Sequence, residues 1–412
     1  MVKFYLCCIS LFIGVEVFSQ KIRLDSLERV RQEQYDLKLA EERKERMDVF
    51  YNLSIDSTKS INLSNVELKE IPDLRSFEML KDLDIQKNKV VSFKGSRVLN
   101  KNLKEINLSG NPLEKVKFKR SDSLEVAKLN DCGLTKIPRS IRKLKSLKQL
   151  ELNKNQISKI PGFIRRMKQL EEINVNFNGI EVSEKDIARI AHLKIIQFIG
   201  NDIEALPDNI GDLKGARKLN FSQNKLDDIP ESIKQLDRLE SLIFYKNSFE
   251  SIPIEIFELR ALTELDFYYN QLKVIPAEIN KLESLELLFI SYNKIDKIPE
   301  SLRDLDRLKK LYIHHNNLVG LPPWIVDFKN LEVLDVGYNK LAVLPDLSPL
   351  QSLTEVDVQE NNLSEIPWSI LRLPNLERVF IRDNPYELTE DEAVALKELI
   401  EGLLEKDVKV SF

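Results

Sequence analysis

An asparagine returns every 23 residues along most of this chain. Asn155, Asn178, Asn201, Asn224, Asn247, Asn270, Asn293, Asn316 and Asn339 keep that step without a break. Asn88 and Asn111 precede them, and Asn361 and Asn384 follow after one step shortened to 22. The interval between Asn111 and Asn155 holds one more rung, filled by Cys132. A fixed period of this size means that each unit is one small element able to bury its apolar face only against its neighbours, so the chain must fold as a solenoid. Without the repeat, 412 residues would imply about two or three ordinary globular domains.

Each unit reads LxxLxLxxNxLxxIP, as in LEEINVNFNGI (170–180), LELLFISYNKIDKIP (285–299) and LEVLDVGYNKLAVLP (331–345). The LxLx part alternates with period two, which predicts a short strand with one buried face. Ile/Leu-Pro ends the turn, and stretches such as ESIKQL (231–236) and AEINKL (277–282) carry the chain back as short helical or 3-10 segments. The asparagine amide both donates and accepts, so it can satisfy buried backbone groups of its own turn and of the next coil. Cys132 replaces it as a small buried residue with a weaker donor. In the first unit, INLSNVELKEIP (61–72), Val66 stands on the rung.

This pattern resembles the leucine-rich repeat family, in the 23-residue form with an Ile/Leu-Pro step seen in bacterial proteins and in Ras-pathway scaffold proteins. The resemblance runs from Ile61 to Tyr386 and implies an α/β horseshoe solenoid of about 15 repeats. Parallel strands would line its concave face and short helical or 3-10 segments its convex face. One unit departs from the pattern: Val182-Ser183 replaces Ile-Pro, and SEKDIARIAHL reads as a longer convex helix opened by Ser183 as N-cap. Solenoid ends expose apolar core and need covering. Residues 20–60 are expected to form a helical cap with Leu27, Val30, Leu37, Met47 and Phe50 available for packing, or else a solvated helix. Residues 387–412 are expected to form a helix–strand cap, with Thr389 opening the helix and VKVSF adding a strand.

The first 19 residues, MVKFYLCCISLFIGVEVFS, read as a signal peptide, with Lys3 as basic n-region and cleavage before Gln20. The apolar run is shorter than the roughly 20 residues a membrane span needs, so no span is expected in the mature chain. Export to periplasm, cell surface or medium follows from this reading, and an intracellular scaffold is the alternative if these residues are retained. Without them the formal charge stays at −4 and Cys132 is the lone cysteine, so no disulfide framework supports the core. Apolar residues at 42% supply that core instead. The charge balance gives no pull on phosphate backbones, which argues against nucleic acid as a partner.

Between the buried leucines, the strand residues face the concave wall. In LTELDFYYN these are Glu264, Asp266 and Tyr268, with Tyr269 at the rim. The same positions in neighbouring units give Tyr245; Phe289 and Tyr292; Tyr312, His314 and His315; and Asp335 and Tyr338. Earlier units carry Gln149, Glu151 and Asn153, or Lys218, Asn220 and Ser222. At about 4.8 Å per strand the aromatic surface spans roughly 20 Å. Exposed tyrosines gathered on one wall suit recognition of a protein or peptide, or of a glycan, because they bury area at low entropic cost. An acidic fringe of Glu264, Asp266, Asp335, Glu355 and Asp357 would orient a basic or polar partner. Cross-strand aromatic ladders also stabilise sheets without binding anything, and both readings stand at this stage. Tyr245, Tyr268, Phe289 and Tyr312 are the stronger candidates, since the rim position before asparagine is often aromatic in this repeat form.

Little else points to chemistry. His192, His314 and His315 are the only histidines, and the adjacent pair should diverge on a strand and so hold no metal. No Gly-rich phosphate loop, HExxH or catalytic dyad is present. The sequence therefore predicts a non-enzymatic protein-binding module without a cofactor, acting through residues 241–338, and leaves the oligomeric state open.

Overall fold

The computed structural model describes residues 28–412, so the expected signal peptide lies outside the described residues. Among those residues, 16 strands form one parallel sheet whose order follows the chain, from Ser60–Asn62 to Lys409–Ser411. Each strand is three residues long and the register repeats without slippage: Leu242, Leu265, Leu288, Leu311 and Leu334 sit opposite one another. These leucines are fully buried, while Glu264 and Asp266 on either side of Leu265 look out on the concave wall. The alternation in sequence is thus a sheet with one dry face, and the leucine-rich repeat architecture expected from the repeats is present.

The rung asparagines fix the coil. Asn270 Nδ2 donates to the carbonyls of Phe244 and Phe267 at 2.9 and 3.0 Å, and its Oδ1 accepts from the Phe249 amide at 3.1 Å. One amide therefore closes its own turn and clamps the preceding coil, meeting buried backbone groups that water cannot reach. Asn155, Asn224, Asn316 and Asn339 make the same set. Cys132 manages only sulfur contacts, at 3.4 Å to the Leu108 carbonyl and 3.3 Å to that of Asn130. Beneath the sheet, Phe198, Phe221, Phe244 and Phe267 stack coil on coil, with successive ring centroids 5.9, 5.9 and 5.3 Å apart.

The return limb starts at proline and turns through short 3-10 segments such as Ala277–Lys281, for which Pro276 supplies the extended residue before the turn. Proline fits there because the first turn of a helix has no partner for its missing N–H. Two units differ. Ser92–Lys94 and Lys115–Lys117 pair as a second, two-stranded parallel sheet on the return limb, which the sequence reading did not anticipate, and in the first of these units a 3-10 turn at Gly95–Arg97 follows the strand. Glu184–Ile190 is an α-helix, as Val182-Ser183 suggested, opened by a reciprocal capping box between Ser183 and Asp186.

At the amino-terminal end, residues 28–51 are helical. Met47, Phe50 and Leu53 pack on the core, and Arg46 donates to the Ser64 carbonyl at 2.6 Å. Residues 28–38 of this helix are exposed throughout. At the other end, Glu390–Leu404 begins with a capping box between Thr389 and Glu392 and buries Leu396 and Leu403. Lys409–Ser411 then pairs with Arg378–Phe380 as the last strand. Among the described residues no helix is long and apolar enough to cross a membrane.

Candidate functional site

A left-handed residue recurs just before each rung and decides how the concave wall is furnished. Lys87, Asp131, Lys154, Gln223, Lys246, Tyr269, Tyr292, His315, Tyr338 and Glu360 all have φ between 50° and 55° or slightly above. Such a conformation costs a bulky L-residue roughly 1 kcal/mol, and Gly or Asn would occupy it more readily. Four successive coils nevertheless place a ring there. Tyr269, Tyr292, His315 and Tyr338 form one continuous stack with centroid separations of 3.9, 3.8 and 4.0 Å.

Two further columns run beside this rim stack. Phe289 and Tyr312, opposite each other in the register, stack at 4.9 Å with planes 7° apart. Between that pair and the rim, Tyr245 meets Tyr268 at 5.7 Å, and Tyr268 reaches His314 at 5.3 Å across the coil that carries Ser291. The small serine lets the rings on either side close over it. Its hydroxyl is completely buried and has no hydrogen-bond partner. Tyr269 is 40% exposed, the most open of the rings, while Tyr268, Tyr292 and Tyr312 are half-buried.

The two histidines correct the sequence reading. They were expected to diverge, yet their Nδ1 atoms lie 2.7 Å apart. Strand alternation ends at His314, and the left-handed turn at His315 (φ 50°) swings the second ring back to the same wall. His315, placed on the concave wall by the repeat but not among the binding candidates, is the third ring of the rim stack. The one sequence signal for it was its place directly before Asn316.

Electrostatics also differ from expectation. Asp266 and Asp335 flank the Phe289–Tyr312 pair in the register. Burial pushes the Asp266 carboxyl up to about 7 and, with the neighbouring Asp357 charge, the Asp335 carboxyl up to about 8. Asp357 rises to about 6, again through burial. Burial likewise lowers His314 to about 4, so this imidazole is neutral at pH 7. Its Nε2 stands 3.7 Å from Asp335, which at that pH largely keeps its proton, so the pair is not an ion pair. Glu264 is engaged by Lys218 and Ser241, and Glu355 by Arg378 at 2.6 Å. The acidic fringe is therefore mostly neutralised or paired, because desolvation beside the rings disfavours charge. Burial also raises the Tyr268 phenol and brings that of Tyr292 up to about 12, so both keep their protons. What remains is an aromatic wall edged with polar groups whose charge is reduced or paired.

Among the described residues no cluster of three or more His, Cys, Asp or Glu is arranged to hold a metal ion. Cys132 is buried, and its thiol is raised to about 11 by desolvation, which removes it as a nucleophile.

Residues 237–295, 277–318 and 306–363 match the leucine-rich repeat family model. A leucine-rich repeat protein of Leptospira interrogans is 26% identical, with a TM-score of 0.69 over 87% of this chain and 97% of its own. An internalin of Listeria monocytogenes, 18% identical, shares the fold at a TM-score of 0.57 over 90% and 94% of the two chains. A plant peptide hormone receptor, 24% identical, does so at 0.54, over 79% of this chain and 63% of the receptor. No curated protein sequence matches. The repeat pattern, the single parallel sheet and these matches together show that this chain has the leucine-rich repeat fold, with residues 237–363 matching the family model itself.

Proposed function

We propose that this solenoid is an exported, non-enzymatic binding module that captures a protein or peptide partner on the concave aromatic face of residues 241–338. The observation that carries the reading is confinement. Rings fill three adjacent columns in neighbouring coils, whereas the same positions in earlier coils hold Gln149, Glu151 and Asn153. A ladder needed only to hold the sheet together would serve every coil alike, since the register and rungs are the same throughout. Partly exposed, mutually braced tyrosines offer area that is already ordered, so little side-chain entropy is lost on binding. The carboxyls of Asp266 and Asp335, raised by burial to about 7 and about 8, carry less than full charge at neutral pH and favour a partner that brings apolar and hydrogen-bonding groups over one that is only basic. Export rests on the first 19 residues.

The test uses the full chain as bait on an envelope and secreted fraction from its native cells, with the captured partner identified by mass spectrometry and its affinity then measured. Replacing Tyr245, Tyr268, Phe289 and Tyr312 together with Ala should reduce affinity at least 100-fold while the circular dichroism spectrum is retained. An unchanged affinity in the folded variant rules the concave site out. The intact mass of the native protein addresses export: a chain starting at Gln20 supports it, and a cytosolic chain retaining Met1 points to an intracellular scaffold.

A further inference from the structure

On the convex side, four consecutive coils build a groove lined with cations. Two cavities of about 570 and 340 Å³ share Arg142, Phe163 and Arg166, which makes them parts of one depression. Arg139, Arg165, Lys185 and Arg189 extend it on one side, and Arg120, Lys143 and Lys145 on the other. No carboxylate lines either part.

The local fold explains the shape. The 3-10 turns Arg139–Lys143 and Ile164–Arg166 present their basic residues outward, and the departure from Ile-Pro in the next unit raises the helix Glu184–Ile190 as a third wall. Arg189 on that helix is fixed by the Ile160 carbonyl at 2.7 Å and by Asp186 at 2.9 Å. Gly162 keeps the floor open, since a Cβ there would meet only Arg189 Nε, at 3.8 Å.

Comparable turns in later coils pair their cations: Lys281 with Glu258 at 2.8 Å, Arg303 with Asp327 at 2.6 Å, and Lys234 with Glu231. In the groove, by contrast, Arg139, Arg142, Arg165, Arg166 and Lys185 make neither ion pairs nor side-chain hydrogen bonds among the described residues. Like charges gathered without partners repel one another, and the chain as a whole is mildly acidic, with a formal charge of −4. Guanidinium groups on neighbouring coils match the oxygens of tetrahedral anions in two-pronged fashion. The half-buried Phe163 gives the groove an apolar floor.

From these features we infer that the groove binds a compound carrying two or more phosphate groups. The source is either a soluble polyphosphorylated molecule or the phosphate-bearing headgroups of a lipid surface.

The experiment titrates the full chain with inorganic tripolyphosphate by calorimetry, and in parallel sediments it with vesicles containing phosphatidic acid. Tripolyphosphate should bind with an affinity that falls steeply as salt rises. The double variant Arg142→Gln/Arg166→Gln should weaken it at least tenfold, whereas Lys281→Gln/Arg303→Gln should leave it unchanged. Both positions in the groove are exposed, and the melting curve verifies that each variant is folded. Sedimentation with vesicles that the groove variant loses assigns the headgroup source, and tripolyphosphate binding without sedimentation assigns the soluble one. The proposal fails if neither probe binds, or if the control variant loses as much affinity as the groove variant.

Discussion

The concave wall comes in two versions on one backbone. From Glu105–Asn107 to Glu172–Asn174 its polar side chains satisfy one another: Lys128 meets Glu105 at 2.6 Å and Asn130 meets Glu151 at 2.8 Å across coils, and Gln149 meets Glu151 at 3.1 Å along one strand. From Glu264–Asp266 to Val333–Asp335 the same positions carry rings stacked in columns. The strands, their register and the left-handed residue before each rung are the same in both halves. The scaffold is thus indifferent to what its wall presents. Stability resides in the buried face and the rungs, and the wall is left to carry a partner surface.

Matched substitutions in the two halves test that separation. The largest effect should come from a charge in the buried face. Leu288→Asp in the aromatic half and Ile173→Asp in the polar half both replace fully buried residues. Each should lower stability by several kcal/mol and abolish the cooperative melting of the array. A normal melting curve in either variant would show that the buried register is not shared.

Removal of a rung comes next. Asn270→Ala strands the Phe249 amide and leaves the Phe244 and Phe267 carbonyls to Asn247 and Asn293 alone, whereas Asn155→Ala strands the Leu129 carbonyl and the amides of Cys132 and Leu134. Denaturant titration should show each variant folded but weakened by about 2–3 kcal/mol. A loss in one half only would mean that the aromatic columns substitute for the rung or depend on it.

The smallest effect sharpens the contrast through pH. Burial raises the Asp335 carboxyl to about 8, so the native state holds a proton that the unfolded chain has already released. That contribution to stability is complete below the ordinary carboxylate range and is lost as the pH rises through about 8. His314, lowered to about 4, has the opposite sign: its contribution is present above its ordinary value of 6.5 and is lost as the pH falls through 4. Well above pH 6.5 both states of that histidine are neutral, and comparison with a variant at Asp335 separates its carboxyl from those of Asp266 and Asp357. Asp335→Asn mimics the protonated acid and cannot ionise. Its stability relative to wild type, read from denaturant titration, should rise between about pH 6.5 and 8.5 by roughly 2 kcal/mol. A constant difference would show that Asp335 is ionised throughout that range.

The elements that could be read in the sequence are those governed by local pattern. The asparagine period locates every coil, the LxLx alternation gives the buried face, and Ser183 and Thr389 mark two helix starts that become capping boxes. The strand at Lys409–Ser411 was likewise visible in VKVSF. What escaped reading depends on two or more coils at once. The second small sheet arises because the return limbs of two neighbouring units are both β-prone and therefore pair. The meeting of His314 and His315 required the left-handed turn, which no residue type at that position announces. The basic groove joins residues from four units, each of which looks like an ordinary solvated turn when read alone.

By itself, then, the sequence determined the solenoid, the identity of its buried residues and the set of side chains that share the concave wall. A period of 23 leaves no other way to bury that many leucines. Only the tertiary structure decided which rings touch, which carboxyls lose their charge and which arginines remain unpaired. Those properties belong to neighbours one or two whole coils apart in the chain, and they are set by packing distance and exclusion of water, quantities that a local pattern does not contain.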